Sequence, residues 1–395
     1  MFLESFKEEW QALKTKKINW VVLFVLPVLV VILIGVELDD EVIANIPMAV
    51  IDHDQSDFSR QLIDAFAQNT VFNVISYPES DIALEQLMKD SVVRVGMVIP
   101  TDFYDDVATL QSPSVLMLYD GSHMSMTSAA KSTAMEILLT YKAGATISQL
   151  TARLGMTQEE AYNVAQVFQF RNRTLYNPSK SFEDFLAPVL MAGYLQAAMV
   201  LVASVSVNHS IYTKKRSDRV GYGLGKAVFY ALAGSLSFIL CVMLQVGIFG
   251  MPFEGRFIDV YLLSLALCFA AASFSVIISA VIGNRMISLL GGGIIFIPNS
   301  IMAGTTWPVT SMPLGYQGFA AYMPFAKFAN NLRNIYLKGT TLTELQPDIF
   351  YLCLFGLISV GIAESVLWIA AVEDHEPVDK EVSKNDLPKY IEEGV

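Results

Sequence analysis

Hydrophobic positions in this chain fall into one isolated run and a later group of five. Residues Trp20–Val36 are almost wholly apolar. Residues 37–183 are mostly polar, and further apolar runs follow at Phe185–Val207, Ala227–Phe249, Val260–Ile282, Met286–Met302 and Ile349–Ala371. A hydrocarbon core about 30 Å thick needs roughly 20 apolar residues in a helix, so each run is predicted to cross a membrane. Ile18 and Asn19 extend the first, giving a span over 18–36. The expected fold class is an α-helical membrane protein with six transmembrane helices and an extracytoplasmic α/β domain inserted at 37–183. The last five helices form a bundle over 184–371. Ahead of the first run, Phe2, Leu3, Phe6 and Trp10 interleave with Glu4, Lys7 and Glu8. That pattern predicts an amphipathic helix lying on the membrane surface, so residues 1–17 read as a cytoplasmic interface helix.

The inserted segment alternates between strand and helix patterns. Strands are predicted at Met48–Ile51, Val71–Ile75, Val92–Ile99 and Ser114–Tyr119. Between them lie helices at Asp57–Phe66, with Asp54 or Ser56 as its cap, at Asp81–Met88, opened by Ser80 or Asp81, and at Asp102–Leu110, capped by Thr101. Small and apolar residues recur at helical spacing over Met124–Leu154, predicting one long helix or two stacked ones. A helix near Gln158–Val167 and a strand near Val167–Leu175 lead into the second span.

Composition supports this picture. The chain is 53% hydrophobic and 16% charged, with mean hydropathy +0.46, where soluble domains carry about 25% charged residues. The net charge of -12 is uneven: residues 37–183 hold 20 acidic and nine basic residues, and the tail 372–395 holds eight and three. With no polybasic surface to neutralise phosphates, nucleic acid is not an expected partner. Cys241, Cys268 and Cys353 all lie in apolar runs and read as buried thiols. No small-x-small cleavage site follows the first run, so it is expected to be retained as a helix.

Positive charge orients the spans. Lys7, Lys14, Lys16 and Lys17 precede the first span. Lys214, Lys215, Arg216, Arg219 and Lys226 follow the second, and Arg285 follows the fourth. With six spans all three groups fall on one side, expected to be the cytoplasm, with both termini and the acidic tail there. The inserted domain and the loops Gly250–Asp259 and Ala303–Asp348 are then outside, although Lys327, Arg333 and Lys338 run against the rule.

Candidate chemistry is sparse. Gly223-Leu224-Gly225-Lys226-Ala227 is not a phosphate-binding loop, so the chain is not expected to hydrolyse ATP by a P-loop route. Gly291, Gly292 and Gly293 inside the fifth span suggest close helix packing, local unwinding or a place on a substrate path. Asn299 near that span's outer end is expected to hydrogen-bond between helices. The aromatic stretch at 307–331, beginning Trp307-Pro308, predicts a short external or re-entrant helix over the path. Glu364 is the one acid well inside a span, and an acid there is costly enough to ask for a partner. It could face a polar path, bond between helices, or serve a proton-coupled carrier. The four histidines have no metal spacing, and no nucleophile elbow or HExxH occurs.

Several stretches in order resemble a known family. Ala49-Val50-Ile51-Asp52-His53-Asp54-Gln55-Ser56 with Ser59-Arg60-Gln61-Leu62, then Val98-Ile99-Pro100-Thr101-Asp102-Phe103 and Tyr119-Asp120-Gly121-Ser122, resemble the external domain of the long subgroup of ABC-2 type ABC exporter membrane subunits. Met302-Ala303-Gly304, Trp307-Pro308, Met312-Pro313, Pro324 and Arg333 resemble the loop after its fifth span. The resemblance covers residues 10–371. It implies a permease subunit moving a lipid-like, drug-like or polymeric substrate outward across a bacterial inner membrane. No cofactor would be bound by this chain. ATP and Mg would sit on cytoplasmic P-loop ATPase partners, and the permease would pair as a homodimer or a heterodimer. A periplasmic or envelope adaptor could dock on the outer domain, and membrane lipids surround the spans. Lys214, Lys215, Arg216, Arg219 and Lys226 are the candidate ATPase-coupling residues. Gly291, Gly292, Gly293, Asn299, Trp307, Pro308, Pro313, Pro324, Arg333 and Glu364 are candidates for the path or gate. The family's acidic-Arg-acidic and Gly-Thr elements after the second span are missing here, so coupling is expected to be reduced or shifted to Met1–Lys17. The alternatives are a non-transporting scaffold whose external domain binds a partner, and a secondary carrier using Glu364.

Overall fold

The computed structural model describes residues 1–38, 43–109, 111–166, 173–178 and 181–370. The tail 372–395 and most of the strand expected near Val167–Leu175 lie outside the described residues. The chain opens with helix α1 (Phe2–Thr15) and, after a break at Lys16, helix α2 (Lys17–Glu37). A π-type turn at Val21–Val25 interrupts the α-helical ladder of α2. Leu29 and Leu33 on α2 face outward, as suits a helix bathed in lipid.

Two compact units follow from the contacts, Asp40–Lys180 and the remainder, and each is described by itself. The inserted unit runs β1 (Ile46–Asp52), α3 (Asp57–Ala67), β2 (Phe72–Ser76), α4 (Asp81–Lys89), β3 (Val95–Ile99), α5 (Phe103–Ala108), β4 (Leu116–Tyr119), α6 (Met124–Leu154) and α7 (Gln158–Ala165). The strand order is β2-β1-β3-β4, with β1 parallel to both neighbours and β4 antiparallel to β3. Because β1 is central and covered on both faces, its residues read as a continuous apolar run rather than an alternating one. Met48 and Val50 pack with Leu62 and Phe66 of α3, while Ala49 and Ile51 pack with Leu84 of α4.

Local chemistry sets these boundaries. The Ser56 hydroxyl accepts from Ser59 N at 3.0 Å and caps α3, and Ser80 does the same for α4 at 3.3 Å. Thr101 does not cap α5. The cap position is Asp102, in a left-handed conformation at φ 59°, and its own side chain makes no capping bond. The acceptor comes instead from the β1 loop, where both Asp54 carboxylate oxygens lie 3.3 Å from Tyr104 N. α6 is one continuous helix whose buried Ala130 and Ala134 permit close approach to the sheet core. Asp120, after β4, pairs with Arg94 and accepts from Ser122 N at 2.9 Å. The bonds from Ser122, then the Arg94 guanidinium, hold its carboxyl well below the usual carboxylate range.

The remaining helices are α8 (Phe182–Ala203), α9 (Tyr222–Gly247), α10 (Phe257–Val281), α11 (Arg285–Met302), α12 (Leu314–Tyr322), α13 (Pro324–Lys338) and α14 (Leu342–Ile369). With α2, six helices among the described residues are long and apolar enough to span a membrane, α9 counting together with the short helical turn Arg216–Arg219 before it. α10 lies centrally and buries Ala270, Ala271 and Ala272. Small residues bring its neighbours close. A Cβ at Gly234 of α9 would meet Cys268 Sγ at 3.0 Å, and one at Gly356 of α14 would meet the Phe269 ring at 2.4 Å. α8 stops at Ala203, four residues before the apolar run ends, and Val207 N donates instead to Ser279 Oγ at 2.9 Å.

One expectation is narrowed here and one corrected. Of the alternatives for the glycine triplet, close packing holds and unwinding does not: α11 runs through it, and Gly292 packs where a Cβ would lie 2.9 Å from Ser204 Oγ. The single short helix expected over 307–331 is instead a 3-10 turn at Val309–Ser311 followed by α12 and α13, which breaks at Met323 and runs on to Lys338. Pro324 is the cause. A residue before proline is pushed out of the helical region, and proline itself suits the first helical position. α13 buries Phe325, Phe328, Leu332 and Ile335 in the largest core cluster of this unit rather than lying on an interface.

Candidate functional site

One group of buried polar side chains in the span-forming unit gathers at the start of α9, with α1 on one side and α14 on the other. The loop before α9 turns through Gly221 at φ 82°, a left-handed value that favours glycine. One turn later Gly225 lies against α1, where a Cβ would come 2.5 Å from Phe2 O and 2.0 Å from Ser5 Oγ. The missing side chain therefore lets α1 rest on the start of α9.

This contact carries an acid inward. Glu9 is buried, and its carboxylate accepts from Lys226 Nζ at 2.5 Å and from Tyr230 OH at 2.5 Å. Lys226 is 1% exposed, lies 3.6 Å from Glu8 Oε2 and sits 4.7 Å above the Tyr222 ring. Tyr222 OH in turn donates to Glu8 at 3.2 Å and accepts from Asn208 N at 3.3 Å. Buried charges persist only when paired and further hydrogen-bonded, and here each charge has both.

On the other side of α9, two helix termini cap each other. Glu364 of α14 accepts from Gly221 N at 3.0 Å through Oε2 and from Leu224 N at 3.0 Å through Oε1. These are amides at the start of α9 that no helical carbonyl can reach, and a carboxylate also suits the positive end of the helix dipole. The return connection is Arg219, buried just before α9. It donates to Leu367 O and Ala370 O at 2.9 Å each, at the carbonyl end of α14, and to Tyr212 O and Lys214 O at 2.6 and 3.0 Å.

The candidates read from sequence divide accordingly. Arg219, Lys226 and Glu364 come together in this junction. Of the candidate coupling residues, Arg219 and Lys226 are buried and bonded within the chain. Lys214, Lys215 and Arg216 are exposed beside them, Arg216 lying 5.5 Å from the Trp368 ring. Glu364 is a helix cap, with both oxygens engaged by backbone amides, which corrects its reading as a carrier's free acid.

The path candidates do not form one cluster. Arg333 donates to Phe185 O and Thr305 O at 3.0 Å each and stacks 3.9 Å from the Phe185 ring, tying α13 to α8 and to the loop after α11. Trp307 is exposed, Pro308 and Pro313 precede short helical turns, and Pro324 opens α13. Asn299 is buried on α11, and its Nδ2 has no partner among the described residues. Gln196 on α8 is likewise buried with neither side-chain atom bonded.

Sequence reading missed Glu9, Tyr222, Tyr230 and Gly221, and named Glu8 and Gly225 without this role. One signal was present: Glu9 lies on the same face of α1 as Phe2, Ser5, Phe6 and Leu13, so an acid interrupts an apolar stripe. Its partner, 217 positions away, carried no local mark.

The family model described as ABC-2 family transporter protein matches residues 17–363. Two similar proteins from Escherichia coli (strain K12) are "Probable multidrug ABC transporter permease YbhR", 20% identical over 81% of this chain and 85% of that protein, and "Probable multidrug ABC transporter permease YbhS", 19% identical over 70% and 72%. "ABC transporter G family member 20" of Dictyostelium discoideum is 30% identical over 49% of this chain, a match that takes in only 28% of that longer protein.

Proposed function

The chain belongs to the ABC-2 family of transporter proteins, and from that premise we propose that it is the membrane-spanning permease subunit of an ATP-driven exporter. It moves a lipid-like, drug-like or polymeric substrate out of the cytoplasm or the inner leaflet of a bacterial inner membrane. ATP is hydrolysed with Mg on a separate P-loop chain. Two permease copies, or this chain and a relative, frame the path. Both termini are cytoplasmic, and the unit Asp40–Lys180 stands outside, where it is available to an envelope adaptor.

The observation that carries this reading is the junction of α1, α9 and α14. It lies at the end of the bundle that charge bias assigns to the cytoplasm, and it joins the first helix, the loop before the third span and the last span into one polar block. Lys214, Lys215 and Arg216 are exposed beside that block. A push on this surface is transmitted to α9 and α14 together, because Glu364 and Arg219 lock their ends. The shortened loop after α8 is compensated by α1, which adds its own surface at the same end. The carrier alternative loses support because Glu364 is spent on capping, and the named relatives favour transport over a scaffold.

Co-expression with candidate P-loop ATPases tests this. The expected result is a stable complex whose ATP hydrolysis rises when hydrophobic drugs or lipids are added. A chain that purifies free of every ATPase, with no stimulated hydrolysis, would overturn it.

A further inference from the structure

The loop before α9 presents Lys214, Lys215 and Arg216 to solvent, and among the described residues none of the three has an acidic partner. Asp218, the acid on the same loop, is engaged by Ser217 Oγ at 3.2 Å. Adjacent like charges raise one another's energy, so this surface favours an anionic neighbour. The end of α14 arrives at the same place. One guanidinium, that of Arg219, donates to Lys214 O at 3.0 Å and to Ala370 O at 2.9 Å, so the two backbones are held one arginine head apart. The exposed Trp368 has its ring 5.5 Å from Arg216. Past Ala370, outside the described residues, the sequence turns acidic: Glu373, Asp374, Glu376, Asp379 and Glu381 stand against one lysine, Lys380. Only Ala371 and Val372 intervene, and three extended residues reach about 10 Å.

We propose that Glu373–Glu381 docks on the Lys214–Arg216 surface of its own chain as an acidic strap. Charge complementarity and connectivity select this occupant together. An exposed ion pair is weak by itself. A segment tethered this near reaches a local concentration in the millimolar range, so several weak pairs act as one contact. The contact is also reversible, because exposed charges are screened over about 8 Å at physiological ionic strength. The inference goes beyond transport and needs only the loop and the end of α14. Within the proposed exporter the strap covers the surface offered to the ATPase, and that partner has to displace it.

The test couples lysine amines to carboxylates with a zero-length carbodiimide in the full chain and maps the joined peptides by mass spectrometry. Lys327 and Asp348, 3.7 Å apart and partly exposed, are the internal control. The expected links join Lys214 or Lys215 to Glu373, Asp374 or Glu376 in protein that runs at the mass of one chain. They are expected to fall several-fold between about 0.1 M and about 1 M salt, as the screening length shrinks from about 10 Å to about 3 Å, while the control link holds. Arg216→Gln, which keeps every reacting group, is expected to lower them as well. Links that persist unchanged at high salt or in the Arg216 variant would overturn the proposal. So would links confined to a band of twice the chain mass, which would place the strap on a second copy, or links to Lys7, Lys14, Lys16 or Lys17 in place of the loop. Absent loop links beside an intact control would overturn it too, and shielding of both lysines by phosphatidylglycerol would then assign the surface to lipid.

Discussion

Lys226 and Glu9 illustrate how a residue's environment decides its role. From sequence, Lys226 was one of five basic residues after the second span. In the fold it is the least exposed of them together with Arg219, and its charge faces an acid from the first helix. Lys226→Met leaves that acid buried and unpaired, a loss that typically costs about 3–5 kcal/mol, so the thermal midpoint of the purified protein is expected to fall. Adding Glu9→Gln removes the stranded charge and is expected to recover most of the loss. A double variant as unstable as the two single losses added together would contradict the pairing. Glu364→Gln keeps one acceptor for the α9 amides and is expected to retain transport at every pH tested. Glu364→Ala loses the cap and about 1 kcal/mol, as helix caps commonly do. Abolished transport in the glutamine variant, with the fold intact, would restore the acid to a carrier role.

Asp120 gives the pH test at this scale. Its folded pKa is depressed by Ser122 and Arg94, so its stabilising contribution is present above its unfolded pKa of about 3.9 and is lost as pH falls below that value. Asp120→Asn is expected to flatten the acid-side loss of stability, read from the thermal midpoint of the full chain by near-ultraviolet circular dichroism as pH falls from about 5 to about 2. An unchanged acid slope would show that the pair carries no linkage.

At the scale of elements, periodicity made most of the helices and strands legible. α6 falls on the expected Met124–Leu154, because small and apolar residues recur at helical spacing until the left-handed Gly155 ends the helix. One miss arose because a distant group supplied what local sequence lacked. Thr101 looked like a cap, yet Asp54 from the β1 loop serves α5. The aromatic stretch after α11 read as one short external or re-entrant helix; there the missed signal was local, since Pro324 divides the stretch, and only the burial of α13 in the core depends on distant partners. The docking of α1 was hidden for a related reason, since it depends on an absent side chain at Gly225. Gly225→Leu is expected to push α1 off α9 while leaving the six spans formed. Increased cysteine-reagent access at a Ser5→Cys position, against an unchanged helical content, is the readout. Unchanged access would mean that α1 is held elsewhere.

For the whole molecule, one isolated apolar run before a polar insertion, and five runs after it, carried the architecture because lipid solvent constrains helix length and composition so strongly. The junction could not be read the same way. Its members come from residues near 9, 219–230 and 364, and only folding brings them together. Within the proposed exporter, this junction is where force from a nucleotide-binding partner enters the spans. The most direct measurement is ATP-dependent movement of a fluorescent lipid or drug in proteoliposomes holding the permease and its ATPase, compared with Lys226→Met/Glu9→Gln, which keeps the fold but removes the charge link. The account predicts transport that requires both ATP and this chain, with the double variant hydrolysing ATP but transporting several-fold less. Transport without ATP hydrolysis, or equal transport by the double variant, would contradict it.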